Sequence, residues 1–365
     1  MKYLHVLIVA TLLAAGCSSS ESSRAARDDG DKASAEAEQA RQADEEQPEI
    51  EAFAPQADEA KLASFAWAED GELHVGYADG TWARIDPKAR QGSVERVLAD
   101  RAAVRALSPS AKLALVVDDH PVVVRLRDGQ AVLRMRDIAQ VESLGFFPGG
   151  GGIYVAASNG DLHIWNSSES DLDEVSTKNL KDFMGRQSSE FTAKLSPLRG
   201  TAQLDEGNRL FVGTHGGKVL RWDPREPARV DALVQLPAEP HTFGYARSHL
   251  VATTASGDLR VVDLADDTFV AWSIKEQGDW VAASPKLRVG FAVTDASTIG
   301  LRAFQDGTHR WKAELPDGQV CGLALSPDAS QLAVCLDSAI LLLDPKTGEE
   351  LAALRRDGET IEWRD

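Results

Sequence analysis

The fold is decided by the stretch Leu210-Phe-Val-Gly-Thr-His-Gly-Gly-Lys-Val-Leu-Arg-Trp-Asp223, in which a turn joins two short apolar strands. Glycine in this turn supplies the positive φ that a tight hairpin needs. Asp223 can bond its own backbone and start the next turn. Pro224 follows directly and stops the strand. The stretch therefore predicts a β-hairpin that ends at Asp223.

The same pattern recurs along the chain. Four further segments contain two apolar strands, a turn with Gly or Ser and a closing Asp or Asn: 73–86, 154–166, 250–263 and 332–344. Two weaker copies, at 113–126 and 289–304, complete the series. The closing positions of the seven copies are 86, 126, 166, 223, 263, 304 and 344. Their spacing is 40 or 41 residues, apart from one step of 57.

A period of about 40 residues is that of a four-stranded propeller blade. The spacing predicts an all-β fold over residues 61–365, a seven-bladed β-propeller of four-stranded antiparallel blades. The long step predicts an insertion at about 167–189, between the third and fourth blades. A parallel α/β fold would need amphipathic helices between the strands, and no 12-residue helical pattern separates them, so the sequence argues against that fold. We expect a strand from one terminus, 64–67 or 359–365, to take the innermost place in the joining blade. Which terminus does so stays open.

The repeats resemble two propeller families. The turn in Val320-Cys-Gly-Leu-Ala-Leu-Ser-Pro-Asp328, with Trp222-Asp223 and Trp165-Asn166, is similar to WD40 repeats, although the Gly-His start of that family is missing. The phrase Leu341-Leu-Leu-Asp-Pro-Lys-Thr-Gly348 resembles quinoprotein-type repeats. Together the two resemblances cover residues 61–365, and both imply a propeller.

The first residues resemble an export signal. A positive Lys2 precedes a short apolar run that ends in small residues, and the run is too short to span a bilayer. Leu13-Ala-Ala-Gly-Cys17 resembles the bacterial lipobox, which implies a signal peptide over 1–16 and lipidation of Cys17. The alternative is a plain secretory signal that ends near a cysteine. The residue after Cys17 is Ser18 rather than an aspartate, which is similar to lipoproteins that Gram-negative bacteria send to the outer membrane. This resemblance implies a protein anchored in the outer membrane and facing the periplasm.

An acidic linker follows the signal. Residues 18–60 hold 13 Asp and Glu against 4 Lys and Arg, and only Ile50 and Phe53 are large and apolar. Such a stretch buries too little apolar surface to offset the entropy of ordering. We therefore expect residues 17–60 to be a lipidated, disordered tether. The tether could act as a spacer between the folded body and the lipid surface, or it could be a linker with no function of its own. Both alternatives predict the same structure and stay open.

The composition argues against several kinds of site. The formal net charge of −18 repels phosphate backbones, so we expect no nucleic-acid partner. The sequence shows no catalytic constellation, and we predict no metal and no cofactor. Three histidines at similar strand positions are the weak candidates for a metal: His74, His163 and His215. The run of glycines at 149–152 predicts a hairpin turn, since no Lys-Ser/Thr follows it.

Two cysteines are placed symmetrically about Asp328. Cys321 and Cys335 lie on consecutive predicted strands, so we expect them to face each other. An exported protein permits a disulfide between them. The alternative is a pair of small buried apolar residues, a role that cysteine often fills.

These features predict a membrane-anchored scaffold rather than an enzyme. We expect protein–protein interactions with unknown partners in the cell envelope, since a propeller offers a rigid disc with loops on two faces. One alternative is similarity to the propeller lipoprotein that assists outer-membrane barrel assembly. The other is a quinoprotein-like enzyme or small-ligand binder that uses the central channel.

Overall fold

The structure is a computed structural model, and it describes only part of the chain. The chain divides into two units, Met1–Glu46 and Gln47–Asp365, and all described residues belong to the second. They are 61–96, 102–117, 119–136, 138, 140–147, 152–165, 171–172, 191–194, 198–204, 209–223, 230–246, 248–264, 270–274, 277–284, 286–287, 290–295 and 297–364. Cys17 and the predicted signal and tether lie outside them.

The described residues form seven antiparallel sheets in which the strands follow chain order. The first sheet is β1 (Leu62–Trp67), β2 (Leu73–Tyr77), β3 (Thr81–Asp86) and β4 (Gln91–Arg96). The second is β5 (Ala103–Leu107), β6 (Leu113–Val117), β7 (Pro121–Arg125) and β8 (Gln130–Arg134). The third is β9 (Val141–Phe146), β10 (Ile153–Ala157), β11 (Asp161–Trp165) and β12 (Phe191–Lys194). The fourth is β13 (Leu198–Leu204), β14 (Leu210–Thr214), β15 (Lys218–Trp222) and β16 (Val230–Gln235).

Three further sheets complete the ring. The fifth is β17 (Pro240–Ala246), β18 (His249–Thr254), β19 (Leu259–Asp263) and β20 (Val270–Ile274). The sixth is β21 (Trp280–Ala282), β22 (Gly290–Thr294), β23 (Thr298–Ala303) and β24 (His309–Glu314). The seventh is β25 (Val320–Leu325), β26 (Leu332–Leu336), β27 (Ile340–Leu343), β28 (Glu350–Asp357) and β29 (Thr360–Arg364). The predicted seven-bladed β-propeller is confirmed.

Neighbouring blades bury the second strand of each blade from both sides. All five residues are buried in β2, β10, β14, β22 and β26, and these strands are nearly continuous apolar runs. A strand covered on only one face would alternate apolar and polar residues. The apolar clusters accordingly lie between adjacent blades, as where Tyr154 and Ile164 of the third blade pack with Leu210 and Trp222 of the fourth. Within the described residues, no helix is both long enough and apolar enough to cross a bilayer.

The insertion lies inside the third blade, not between the third and fourth. Strand β12 pairs with β11, so the added residues fall between Trp165 and Phe191 of one sheet. Only Asp171 and Leu172 of this segment are described, and both are helical. The closing residue at 166 precedes the insertion, and for that reason the repeat spacing alone assigned it to the wrong junction.

Of the two terminal segments that the sequence offers, 64–67 takes an innermost place, in the first blade, but no blade is completed by a strand from the opposite end of the chain. Strand β1 is innermost in the first blade, whose four strands are consecutive in the chain. The C-terminal β29 pairs instead with β28 and forms a fifth, outermost strand of the last blade. A two-residue turn at Gly358, with φ of 60°, joins these two strands. Such a short connection can only place β29 next to β28.

Side chains from the first and last blades bridge the junction, which we call the ring-closing seam. The indole Nε1 of Trp67 donates a hydrogen bond of 3.1 Å to the carbonyl oxygen of Ala324. Arg356 donates to the carboxylate of Asp79 at 3.0 Å, and its guanidinium lies 4.8 Å from the centre of the Tyr77 ring. Burial opposes ionisation of Asp79, but hydrogen bonds from Thr81 and Arg356 outweigh it and lower the pKa of this carboxyl.

The apolar part of the seam predicts a steric test. A Cβ added at Gly92 would lie 2.8 Å from Cγ1 of Ile361, so Gly92→Ala forces β29 away from β4. Overpacking of this kind costs about 1–3 kcal/mol of unfolding free energy. Urea denaturation of Gly92→Ala should show this loss, and adding Ile361→Ala should recover part of it. The control Gly216→Ala, whose Cβ meets nothing nearer than 4.0 Å, should be close to neutral.

The Asp79–Arg356 pair predicts a pH dependence of stability. Because the folded pKa of Asp79 lies below the ordinary value of 3.8, the pair stabilises the fold above that pH and loses its effect as pH falls through the lowered pKa. Asp79→Asn should cost roughly 0.5–1 kcal/mol at pH 7, a small value because the pair is partly exposed. The difference from wild type should shrink as pH falls below 3.8 and vanish once pH has passed through the lowered pKa. Asp337→Asn, on an exposed turn, is the control, and an equal pH dependence there would contradict the assignment.

Candidate functional site

The innermost strands surround a central channel. A cavity of about 770 Å³ is lined by residues of β1, β5, β9, β17, β21 and β25, with Val117 from β6. Neighbouring innermost strands contact each other around the ring, and β25 contacts β1. Cross-links between blades hold these strands, as where the Ser64 hydroxyl donates to the Val104 carbonyl at 2.8 Å. The channel is therefore a preformed cavity with walls from different blades.

Most of the channel wall at one level is apolar. Leu144, Leu323 and Phe65 line it, each three residues before the turn that ends its innermost strand. The turns match in hydrogen bonding, since the backbone N–H groups of Phe147 and Ser326 each donate to the carbonyl five residues later. These three side chains form part of an apolar belt around the channel.

Arg105 lies at the same distance from the turn in the second blade, in a register irregularity between Val104 and Ala106, whereas Leu144 and Leu323 pair regularly with the next strand. Arg105 lies three residues before Ser108, whose N–H donates to the carbonyl of Leu113, five residues later. The side chain lines the cavity and is exposed to it. No ion pair or hydrogen bond of the guanidinium is found within the described part of the chain. Arg105 thus adds to the cavity wall a cation that is open to a ligand.

Other polar groups line the same cavity. Glu142, on β9 of the next blade, is partly buried and lines the same cavity. Across the ring, His241 of β17 meets Trp280 of β21 edge to face, with ring centroids 5.0 Å apart. Among the described residues, the channel wall therefore combines the cation of Arg105, the carboxylate of Glu142 and an aromatic pair with apolar and small polar side chains.

Cys321 also lines the channel, whereas Cys335 is buried behind it. Their sulfur atoms lie 2.07 Å apart, at bonding distance. Their symmetry about Asp328 predicts that the two residues lie directly opposite each other, and the structure shows that they do not. A register shift between Val320 and Gly322 puts Gly322 opposite Cys335 and leaves Cys321 in the irregularity. The sequence could not reveal this bulge.

The candidate metal histidines do not come together. His74 lies on β2 and His163 on β11, while His215 lies in the turn after β14 and bonds the Glu239 carboxylate at 3.0 Å. Burial lowers the pKa of His74, against the effect of neighbouring Glu72. No group of three or more His, Cys, Asp or Glu that could hold a metal occurs among the described residues. The premise that the three histidines are equivalent was wrong, because they lie on different elements.

The rim around one end of the channel is acidic. Successive strands are antiparallel, so the turns between second and third strands all lie at this end, where the chain also enters β1. Carboxylates recur in these turns: Asp79, Asp119, Asp258, Asp295 and Asp337. Burial opposes ionisation of Asp295, but hydrogen bonds from Ser297 and Thr298 lower its pKa. This acidic rim favours cations and disfavours anions at a distance.

Sequence reasoning missed Arg105 and Glu142. An available signal was the repeat itself, since comparison of the copies three residues before each turn shows Leu323 and Leu144 where the second blade has Arg105. Along the chain the glycine run falls between β9 and β10, and only its last residue, Gly152, is described, so the predicted turn lies mostly outside the described residues.

Comparisons with known proteins identify the fold and no more. No protein-family model and no curated protein matches the chain. Among solved structures, one titled "Structure of U3-55K" is 13% identical, with a TM-score of 0.58 over 77% of this chain and 90% of that one. That protein is a WD40 propeller. The chain shares this propeller fold. Because 1672 solved chains match, the fold alone does not select a function.

The cysteine pair predicts a redox-dependent stability. A cross-link between residues 14 apart removes loop-closure entropy from the unfolded chain, which corresponds to about 3 kcal/mol. Replacing both Cys321 and Cys335 with Ala should lower the unfolding free energy of the oxidised protein by roughly this amount. A reductant should bring the wild type close to the variant. Free thiols counted by mass spectrometry in oxidised wild type would contradict the pairing.

Proposed function

We propose that the chain is a lipid-anchored scaffold of the bacterial cell envelope, whose propeller binds partner proteins. The observation that carries the proposal is the closed seven-bladed ring, which presents turns from every blade on two rims. A propeller of this kind can hold several partners at once because its loops are fixed by a rigid frame. The proposal assigns no catalytic role to the chain.

The lipobox-like Cys17 supports the membrane part of the proposal. Lipid at this cysteine would tie the chain to a bilayer, and several acyl chains anchor far more firmly than one. Residues 17–60, if fully extended, would reach roughly 150 Å. Since β1 begins at the acidic rim, the tether attaches to that end of the ring. The opposite rim, with Lys88, Lys112 and Lys346 on its turns, has a more mixed charge.

The anchor is tested by Cys17→Ser in a Gram-negative host. We expect this variant to lose incorporation of an alkyne-labelled palmitate and to move from the membrane fraction to the soluble fraction, because the acylated sulfur is gone. The control is the double variant Cys321→Ser with Cys335→Ser, which should keep both label and membrane association. A wild type that takes up no label, or a Cys17→Ser protein that stays in membranes, would end the anchoring proposal.

Partner binding is tested by photo-crosslinking in the same cells. A crosslinking amino acid at Asp337 samples the acidic rim, one at Lys346 samples the opposite rim, and one at Arg310 samples an exposed site on β24 as control. Reproducible adducts from a rim position, and none from Arg310, are expected for a scaffold. Adducts with barrel-assembly proteins would select that narrower role. No adduct from either rim would overturn the scaffold proposal.

A further inference from the structure

The central channel contains one feature that a general scaffold does not require. Arg105 is a cation at the distance from the turn where Leu144 and Leu323 lie in other blades, and it lines the same cavity. We propose that the channel binds a polypeptide segment in which a carboxylate lies next to apolar side chains, and that Arg105 holds this carboxylate. The inference rests on the proposed function, because it names the chemistry of one partner.

The choice of a carboxylate follows from the guanidinium. Arginine presents paired N–H donors in a plane that matches a carboxylate, and the pair bonds more strongly than neutral groups do. Arg105 is the one Lys or Arg side chain among the described residues that line the cavity.

The choice of a polypeptide follows from the rest of the wall. Glu142 opposes a bare anion, but it accepts hydrogen bonds from peptide N–H groups. Phe65, Leu144 and Leu323 offer apolar contacts to flanking side chains. A cavity of about 770 Å³ falls within the range of ligand pockets and is large enough for a few residues. A small inorganic anion would use only Arg105 and would leave the apolar belt without contacts.

Long-range electrostatics sharpens the prediction. The formal net charge of −18 and the acidic rim repel anions at a distance. Binding therefore depends on short-range contacts to Arg105 together with apolar burial. Loss of either the carboxylate or the guanidinium should consequently abolish most of the affinity.

The experiment is a titration of the full chain, purified in detergent, with dye-labelled hexapeptides of alanine and leucine that end in phenylalanine. One peptide has a free terminal carboxylate, and a second has a terminal amide. A third has the amide and a glutamate in place of the penultimate residue. Fluorescence anisotropy gives the dissociation constants. Binding of the first peptide points to a chain terminus as the natural ligand, and binding of the third points to an acidic side chain.

Two substitutions and a control complete the design. Arg105→Leu restores the apolar belt of the other blades, so the variant should fold, and it should bind the carboxylate peptides at least tenfold more weakly. Arg105→Gln tests the same loss in a polar form, with a thermal unfolding curve for each protein. Arg310→Gln removes an equal charge from β24 and should change binding less than twofold.

The outcomes separate this inference from the scaffold proposal. Equal binding of the acid and amide peptides, equal binding by Arg105→Leu, or no binding of any peptide would overturn the assignment of the channel. The titration needs no membrane and no cellular partner, so adducts from the rims in cells could still support the scaffold if the channel assignment fails.

Discussion

The burial of apolar strands in the propeller depends on contact between its first and last blades. Each blade buries its second strand only because a neighbour covers each face, so an open ring would expose apolar surface on both end blades. At the seam, Leu73 and Ile85 of the first blade share a cluster with Ile340, Leu342 and Leu354 of the last. Side chains of this size contribute roughly 1.5–3 kcal/mol each when fully buried. The bonds of Trp67 and Arg356 are smaller contributions, and they fix the register of a contact that apolar burial drives.

Closure also creates the channel. The belt residue Arg105 and the carboxylate of Glu142 come from different blades, and each belongs to a strand that contacts the next around the ring. Arginine is tolerated there because the cavity leaves it exposed, whereas an unpaired guanidinium between blades would cost several kcal/mol. Between blades, Arg125 is buried beside Asp128, with Nη2 and Oδ2 2.6 Å apart. Buried Arg125 is thus paired with a carboxylate, whereas Arg105 in the channel has no such partner among the described residues.

The sequence predicts the number of blades because each blade repeats the same burial pattern at the same spacing. It does so even where the copies are weak, as at 113–126, since turn chemistry and apolar runs are local signals. It fails where position depends on pairing between strands. The outer place of β29, the irregularity at Cys321 and the insertion within the third blade are all such cases. For the same reason a charged residue such as Arg105 looks like an ordinary surface residue until the innermost strands are known.

The cysteine pair lies where the channel and the seam meet. Gly322, beside Cys321, is close enough to the first blade that an added Cβ would lie 2.7 Å from Cε1 of Phe65. Phe65 in turn belongs both to the channel wall and to the apolar cluster of the seam. A link from Cys321 to Cys335 fastens β25 to the buried β26, and so holds the strand on which Phe65 packs. Gly322 permits the close approach and the cysteines limit movement away from it, which ties the shape of the channel to closure of the ring.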